Sequence, residues 1–153
     1  MADINKLKQL RDETGVSISL CKKALEEAGG DLKKAREILY KTGAERVTKK
    51  MSEMTKEGAI FSYIHHNKKI ASMVELLCQT DFVARTQEYQ ELGALLAMQA
   101  AFSNPKDIKI FLSEESIKIP GKTIETIVKE YILKLGENIK VSRLLRWEIG
   151  EKE

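Results

Sequence analysis

The stretch Ile70 to Cys78 narrows the possible folds more than any other part of the chain. Ile70, Ser72, Val74, Leu76 and Cys78 alternate with Ala71, Met73, Glu75 and Leu77, so a strand made of them is largely apolar on both faces. Such a strand needs a helix over one face and a neighbouring element or a second subunit over the other. Ala59 to His66 reads as its hairpin partner, with Asn67-Lys68 as the turn. Behind it come Thr80-Asp81-Phe82-Val83-Ala84-Arg85. A helical period then runs from Thr86 to Phe102, with Tyr89, Leu92, Leu95, Leu96 and Phe102 on one side before Asn104-Pro105.

Those six residues cap a strand-to-helix junction. Thr80 or Asp81 can act as the N-cap of the helix, its side-chain oxygen accepting from the unpaired amides of the first turn. That accounts for the Thr and the Asp, not for Phe82. A ring just after a cap either packs inward as part of a hydrophobic staple or stands at the edge of the domain, where it can anchor a partner. Local chemistry alone favours the core, because most bulky apolar side chains are buried.

Residues 4 to 43 read as three short helices. Ile4, Leu7 and Leu10 share a face, and Gly15 can take the left-handed conformation that ends the first helix. Ile18, Cys21, Leu25 and Ala28 form the stripe of the second, which stops at Gly29-Gly30. Asp31 caps the third, whose Leu32, Ala35, Ile38 and Leu39 face inward before Gly43. The connection Gly15 to Leu20 is more apolar than a turn needs: Val16, Ile18 and Leu20 cannot all close so small a core, which leaves a docking surface or a half-buried connection.

Arg46, Lys49, Lys50 and Lys56 mark a basic linker rather than a phosphate-binding patch. After Pro120-Gly121, Ile124, Ile127, Val128, Tyr131 and Leu135 make a clear helix ended by Gly136, whereas 106–119 has no sustained period. Ile139, Val141, Leu145, Trp147 and Ile149 then alternate as a strand, broken only at Arg143 and Leu144. The sum is an α+β chain: a three-helix module over 1–45, a linker over 46–57, and over 58–153 a core of about three antiparallel strands with helices packed on it.

The chemistry expected of this chain is binding. There is no glycine-rich phosphate loop, so direct nucleotide binding is not expected. His65 and His66, adjacent on a strand, should send their rings to opposite faces, which suits a turn-flanking role and not a shared metal. Cys21 and Cys78 have no metal or redox spacing and read as structural thiols. No acid-base pair converges, so no catalytic, metal or cofactor residue is expected. The 26 basic and 23 acidic residues leave a net charge of only +3, a weak nucleic-acid signal. No apolar run is long enough for a membrane span and the N-terminus lacks a secretory pattern, so a cytoplasmic location is expected.

Several pieces resemble one family. Leu10-Arg11, Thr14-Gly15, Cys21-Lys22-Lys23-Ala24-Leu25 and Ala28-Gly29-Gly30-Asp31 resemble the N-terminal signature of the translation elongation factor Ts family. Tyr63-Ile64-His65-His66-Asn67, Val74-Glu75 and Cys78-Gln79-Thr80-Asp81-Phe82-Val83-Ala84-Arg85 resemble its core signature, and Gly136-Glu137-Asn138-Ile139 the start of its closing strand. The pieces keep the family's order over nearly the whole chain.

The resemblance implies a guanine-nucleotide exchange factor for the GTPase elongation factor Tu. It implies a ubiquitin-associated-like N-terminal module that docks through Arg11, Ile18, Ser19 and Lys22. It also implies a core that places Phe82 between two helices of the GTPase and holds the contact through Asp81, with Thr80 and Val83 beside them, displacing the elements that position magnesium. Phe82 is then an exposed anchor. The family's docking loop usually carries two methionines and an aspartate where this chain has Ile18, Ser19 and Leu20, and Ser142 stands before Arg143 where paired arginines are usual. With one core unit, the chain resembles short members that pair as homodimers. Two rivals are a helix-recognising module using residues 1–45 alone, and an RNA-binding accessory protein, suggested by the linker and a sequence pI of about 8.8.

Overall fold

Asp3 accepts from the Asn5 amide and starts helix α1 (Ile4–Thr14), which closes on Gly15 in the left-handed region at φ 68°. This computed structural model describes residues 3–152. Helix α2 (Ile18–Glu27) follows after a short connection, and Asp31 caps α3 (Leu32–Lys50) by accepting from the Lys34 amide. Leu10, Cys21, Leu25, Ala35 and Leu39 fill the space between the three helices. A Glu13–Arg36 pair at 2.7 Å ties α1 to α3 at the surface.

The apolar connection and the end of the third helix are resolved here, the first as the sequence suggests and the second differently. Of Val16, Ile18 and Leu20, only Val16 is buried; Ile18 lies in the first turn of α2 and is exposed, as is Ile4 at the free end of α1. The third helix does not stop at Gly43 but runs on to Lys50, so the basic stretch is helical that far. A mid-helix glycine costs only about 1 kcal/mol, less than the following good helix formers recover, and Lys49 and Lys50 suit the negative end of the helix.

The chain divides into two compact units, Met1–Met51 and Ser52–Glu153. In the second, β1 (Glu57–Ile64), β2 (Ile70–Cys78) and β3 (Ile139–Glu148) form an antiparallel sheet in the order β1-β2-β3. Four helices lie between β2 and β3: α4 (Asp81–Ala84), α5 (Gln87–Ser103), α6 (Ile108–Ser113) and α7 (Ile124–Leu135). The α+β reading therefore holds, with an antiparallel sheet of three strands. The region without a period, 106–119, holds α6, capped by Asp107 and seated on Phe111, and then a segment pinned by the buried Gln99 side chain, which accepts from the Ile117 amide at 2.9 Å.

Helix α5 covers one face of the sheet. The Tyr89 hydroxyl donates to the Leu76 carbonyl, the Ser72 hydroxyl to the Ala97 carbonyl, and Arg146 Nε to the Ala101 carbonyl at 2.8 Å. These bonds satisfy polar groups that the helix removes from water. The opposite face carries Ile60, Ile64, Met73, Leu145 and Trp147, all exposed within this chain.

The break at Arg143 and Leu144 is a β-bulge. Glu75 faces Arg143 while Leu76 faces Val141, leaving Ser142 as the extra residue. Ile139 and Val141 thus lie under the helices, but Leu145 and Trp147 fall on the opposite, open face and not beside them as simple alternation predicts. The hairpin turn is also wider than Asn67-Lys68. The Lys68 amide closes on the His65 carbonyl at 2.8 Å, with Lys68 at φ 64°. His65 and His66 consequently leave strand geometry, and their rings lie together with centroids 4.1 Å apart, contrary to the opposite-face expectation.

Candidate functional site

Strand β2 delivers the chain to a corner. After Cys78 the backbone leaves the sheet, and Thr80, extended at φ −129°, caps the single turn α4 by accepting from the Val83 amide at 3.3 Å. Thr86 then caps α5 separately by accepting from Tyr89, so neither Thr80 nor Asp81 caps the long helix. The junction is an independent helical turn between two caps. Its far end is held by the Thr86 hydroxyl donating to the Val83 carbonyl at 2.8 Å and by Gln90 Nε2 donating to the Ala84 carbonyl at 2.8 Å.

A single turn can bury one side and must expose the other. Val83 and Ala84 face the core, and Phe82 is 81% exposed. The inward orientation that local chemistry favours for Phe82 is overturned, because Val83 and Ala84 already occupy the inward side. Asp81 is exposed and pairs with Arg85 one turn on, at 2.5 Å. Beneath the corner the Cys78 thiol donates to the Thr80 carbonyl at 3.1 Å, and burial pushes that thiol up, away from the thiolate. Burial likewise pushes the Tyr89 phenol far up, which keeps it a neutral donor.

Glu137 stands in the Gly136-Glu137-Asn138-Ile139 piece, to which the sequence attached no role at the junction. It follows Gly136, which ends α7 at φ 76°, and its carboxylate accepts from the Thr80 amide at 2.9 Å, the Gln79 amide at 3.1 Å and the Thr80 hydroxyl at 2.7 Å. Gln79 Oε1 in turn accepts from the Asn138 amide at 2.6 Å. No local sequence signal joins residues nearly sixty positions apart.

Arg11, Ile18, Ser19 and Lys22 belong to the other unit. Arg11 lies in the last turn of α1, and the other three lie in the first turn and a half of α2; all four are exposed. Ser19 exchanges a hydrogen bond with Ser17 at 3.3 Å, and Lys22 reaches Glu26 at 4.0 Å. Within that unit they present one exposed apolar side chain, Ile18, among polar ones. The fold thus brings together Thr80, Asp81, Phe82 and Val83 in one turn, and Ile18, Ser19 and Lys22 on one helix.

Among the described residues no cluster of His, Cys, Asp and Glu has the arrangement of a metal site, and no helix is long and apolar enough to cross a membrane. The arrangement offers an exposed aromatic on a braced turn, which suits insertion into a partner's groove.

Residues 79–153 match a family described as elongation factor TS. The chain is 40% identical to elongation factor Ts of Thermosipho melanesiensis over 190 aligned positions, covering 95% of this chain and 97% of that protein. It is 39% identical to elongation factor Ts of Thermotoga maritima, covering 95% and 94%. With elongation factor Ts of Aquifex aeolicus the identity is 43% over 93% of this chain but 51% of the relative. The alignment with the Thermosipho protein is longer than the 153 residues of this chain, so that relative has segments without a counterpart here.

Proposed function

The chain belongs to the elongation factor Ts family of translation factors, and from that premise we propose that it is a guanine-nucleotide exchange factor acting on the GTPase elongation factor Tu. The observation that carries this reading is the presentation of Phe82 on a turn braced at both ends. An anchor held rigid in the free protein loses little conformational freedom on docking, so more of its burial energy goes into binding. Seated between two helices of the GTPase, with Asp81 and Thr80 beside it and Val83 supporting it from below, Phe82 displaces the elements that hold magnesium. A factor that prefers the nucleotide-free GTPase must weaken nucleotide binding by the same ratio, which is how such binding becomes exchange. The chain itself contributes no bond-making chemistry and acts in the cytoplasm.

The N-terminal unit supplies a second contact through Arg11, Ile18, Ser19 and Lys22. Tethering two weak contacts raises the effective concentration of each, so docking need not be tight at either site.

The open sheet face supports a further part of the reading. Ile60, Met73, Leu145 and Trp147 lie on it, a patch of the kind that soluble monomers rarely leave bare. A second copy of this chain covers it, sheet on sheet, giving a two-fold dimer with two junctions.

The test is the release rate of a fluorescent GDP analogue from purified elongation factor Tu, with the natural chain and with Phe82→Ala. Strong acceleration by the first and loss in a folded variant is expected; no acceleration by the natural chain removes the exchange reading.

A further inference from the structure

We infer that Glu137 is the positioning residue of the Thr80–Arg85 junction, fixing in the free chain the backbone conformation that presents Phe82; what Phe82 then does rests on the exchange reading above. In a strand, consecutive amides point to opposite sides. Here the amides of Gln79 and Thr80 both point at Oε1 of Glu137, at 3.1 and 2.9 Å. The carboxylate therefore holds the backbone at the corner where it leaves β2. Its other oxygen, Oε2, accepts from the Thr80 hydroxyl at 2.7 Å, and that hydroxyl oxygen accepts from the Val83 amide at 3.3 Å. The carboxylate thus orients the cap, and the cap orients the turn in which Val83 points in and Phe82 out.

The brace is anchored on its own side too. Asn138 donates its amide to Gln79 Oε1 at 2.6 Å and its side-chain nitrogen to the Glu53 carbonyl at 2.9 Å. Thr80 is exposed and Gln79 only half-buried, so water can replace the carboxylate at both amides without a fully buried group being orphaned. Removing Glu137 therefore frees the corner and leaves the core intact. Gln at 137 retains the geometry: one oxygen serves both amides, and its NH2 group donates to the Thr80 hydroxyl, which can turn its own proton to water.

The test has two arms. In the free chain, hydrogen exchange at the Gln79 and Thr80 amides, followed by NMR, should show protection in the natural protein and in Glu137→Gln. Glu137→Ala should lose that protection while keeping its near-ultraviolet circular dichroism. With elongation factor Tu, Glu137→Ala should reduce the acceleration of GDP release by about ten- to a hundredfold, the scale of loss from a misplaced group, and Glu137→Gln should restore it. Adding Glu137→Ala to Phe82→Ala should cost little more, because both act through the same ring. Unchanged protection at Gln79 and Thr80 in Glu137→Ala overturns the inference, and so does a loss that adds in full to that of Phe82→Ala. If the natural chain does not accelerate release, the exchange reading fails, and the amide protection alone then decides the role of Glu137.

Discussion

Phe82 and Val83 are consecutive residues of one helical turn, yet Phe82 is 81% exposed and Val83 only 5%. The contrast separates anchoring from folding. Phe82→Ala should leave the melting temperature nearly unchanged, since an exposed side chain that itself makes neither a cap nor an ion pair alters stability by no more than about 0.5 kcal/mol. The same change should remove roughly 2–4 kcal/mol of partner contact, in the range of an aromatic hot spot. Val83→Ala should instead cost about 2 kcal/mol of stability through lost burial and a residual cavity. Paired melting curves and exchange assays check both; a large melting shift for Phe82→Ala would place the ring in the core.

Much of this was legible in the sequence, for identifiable reasons. The apolar run Ile70 to Cys78 marked a strand with a helix over one face, where α5 lies, and Gly15 and Gly136 end α1 and α7 in left-handed geometry as their spacing suggested. What escaped was set by tertiary contact. Ser142 looks like any polar strand residue, and only the register against Glu75 makes it a bulge that moves Leu145 and Trp147 to the open face. His65 and His66 look like strand residues until Lys68 takes a left-handed conformation and pulls them into the turn. Glu137 resembles an ordinary surface carboxylate, and its three donors come from residues 79 and 80.

The open sheet face gives a second prediction. Met73 lies opposite Leu145 across the β2–β3 ladder, and Ala71 opposite Trp147. Leu145→Lys places a charge in the middle of that face, where it can stay hydrated in a single chain but not beneath a second copy. The natural chain should sediment as a dimer at micromolar concentration and the variant as a folded monomer. A natural chain that sediments as a monomer would remove the pairing proposal.

A third prediction concerns acid. The Ser142 hydroxyl at 2.6 Å and Arg143 Nε at 3.0 Å hold the Glu75 carboxyl below its ordinary value, the hydroxyl contributing most. A carboxyl lowered by folding stabilises the native state above its unfolded value, which is near 4.5, and that contribution disappears as pH falls through the folded value. Glu75→Gln should therefore lower the melting temperature at neutral pH, and the gap should close as the buffer is acidified below the ordinary carboxyl range. A gap that is constant with pH would show that the charge on Glu75 is not what the bulge depends on.

The last prediction tests how closely α5 lies on the sheet. Gly93 is buried in the middle of that helix, and a β-carbon built there would sit 2.2 Å from the ring of Phe61 on β1. Two effects oppose each other in Gly93→Ala. Helix propensity favours alanine by about 1 kcal/mol. Against it, the added methyl must push an aromatic ring that also packs on Tyr89, with centroids 5.9 Å apart, and overpacking of this kind costs about 1–3 kcal/mol. The obstacle is the face of a ring held between strand and helix and not the free end of a long side chain, so the packing cost should win. Gly93→Ala should lower stability in urea unfolding, and Phe61→Leu in the same chain should recover part of the loss by vacating that space. If Gly93→Ala is instead stabilising, the helix can lift from the sheet without penalty, and the contact of Phe61 with Gly93 does not fix the spacing of the two layers.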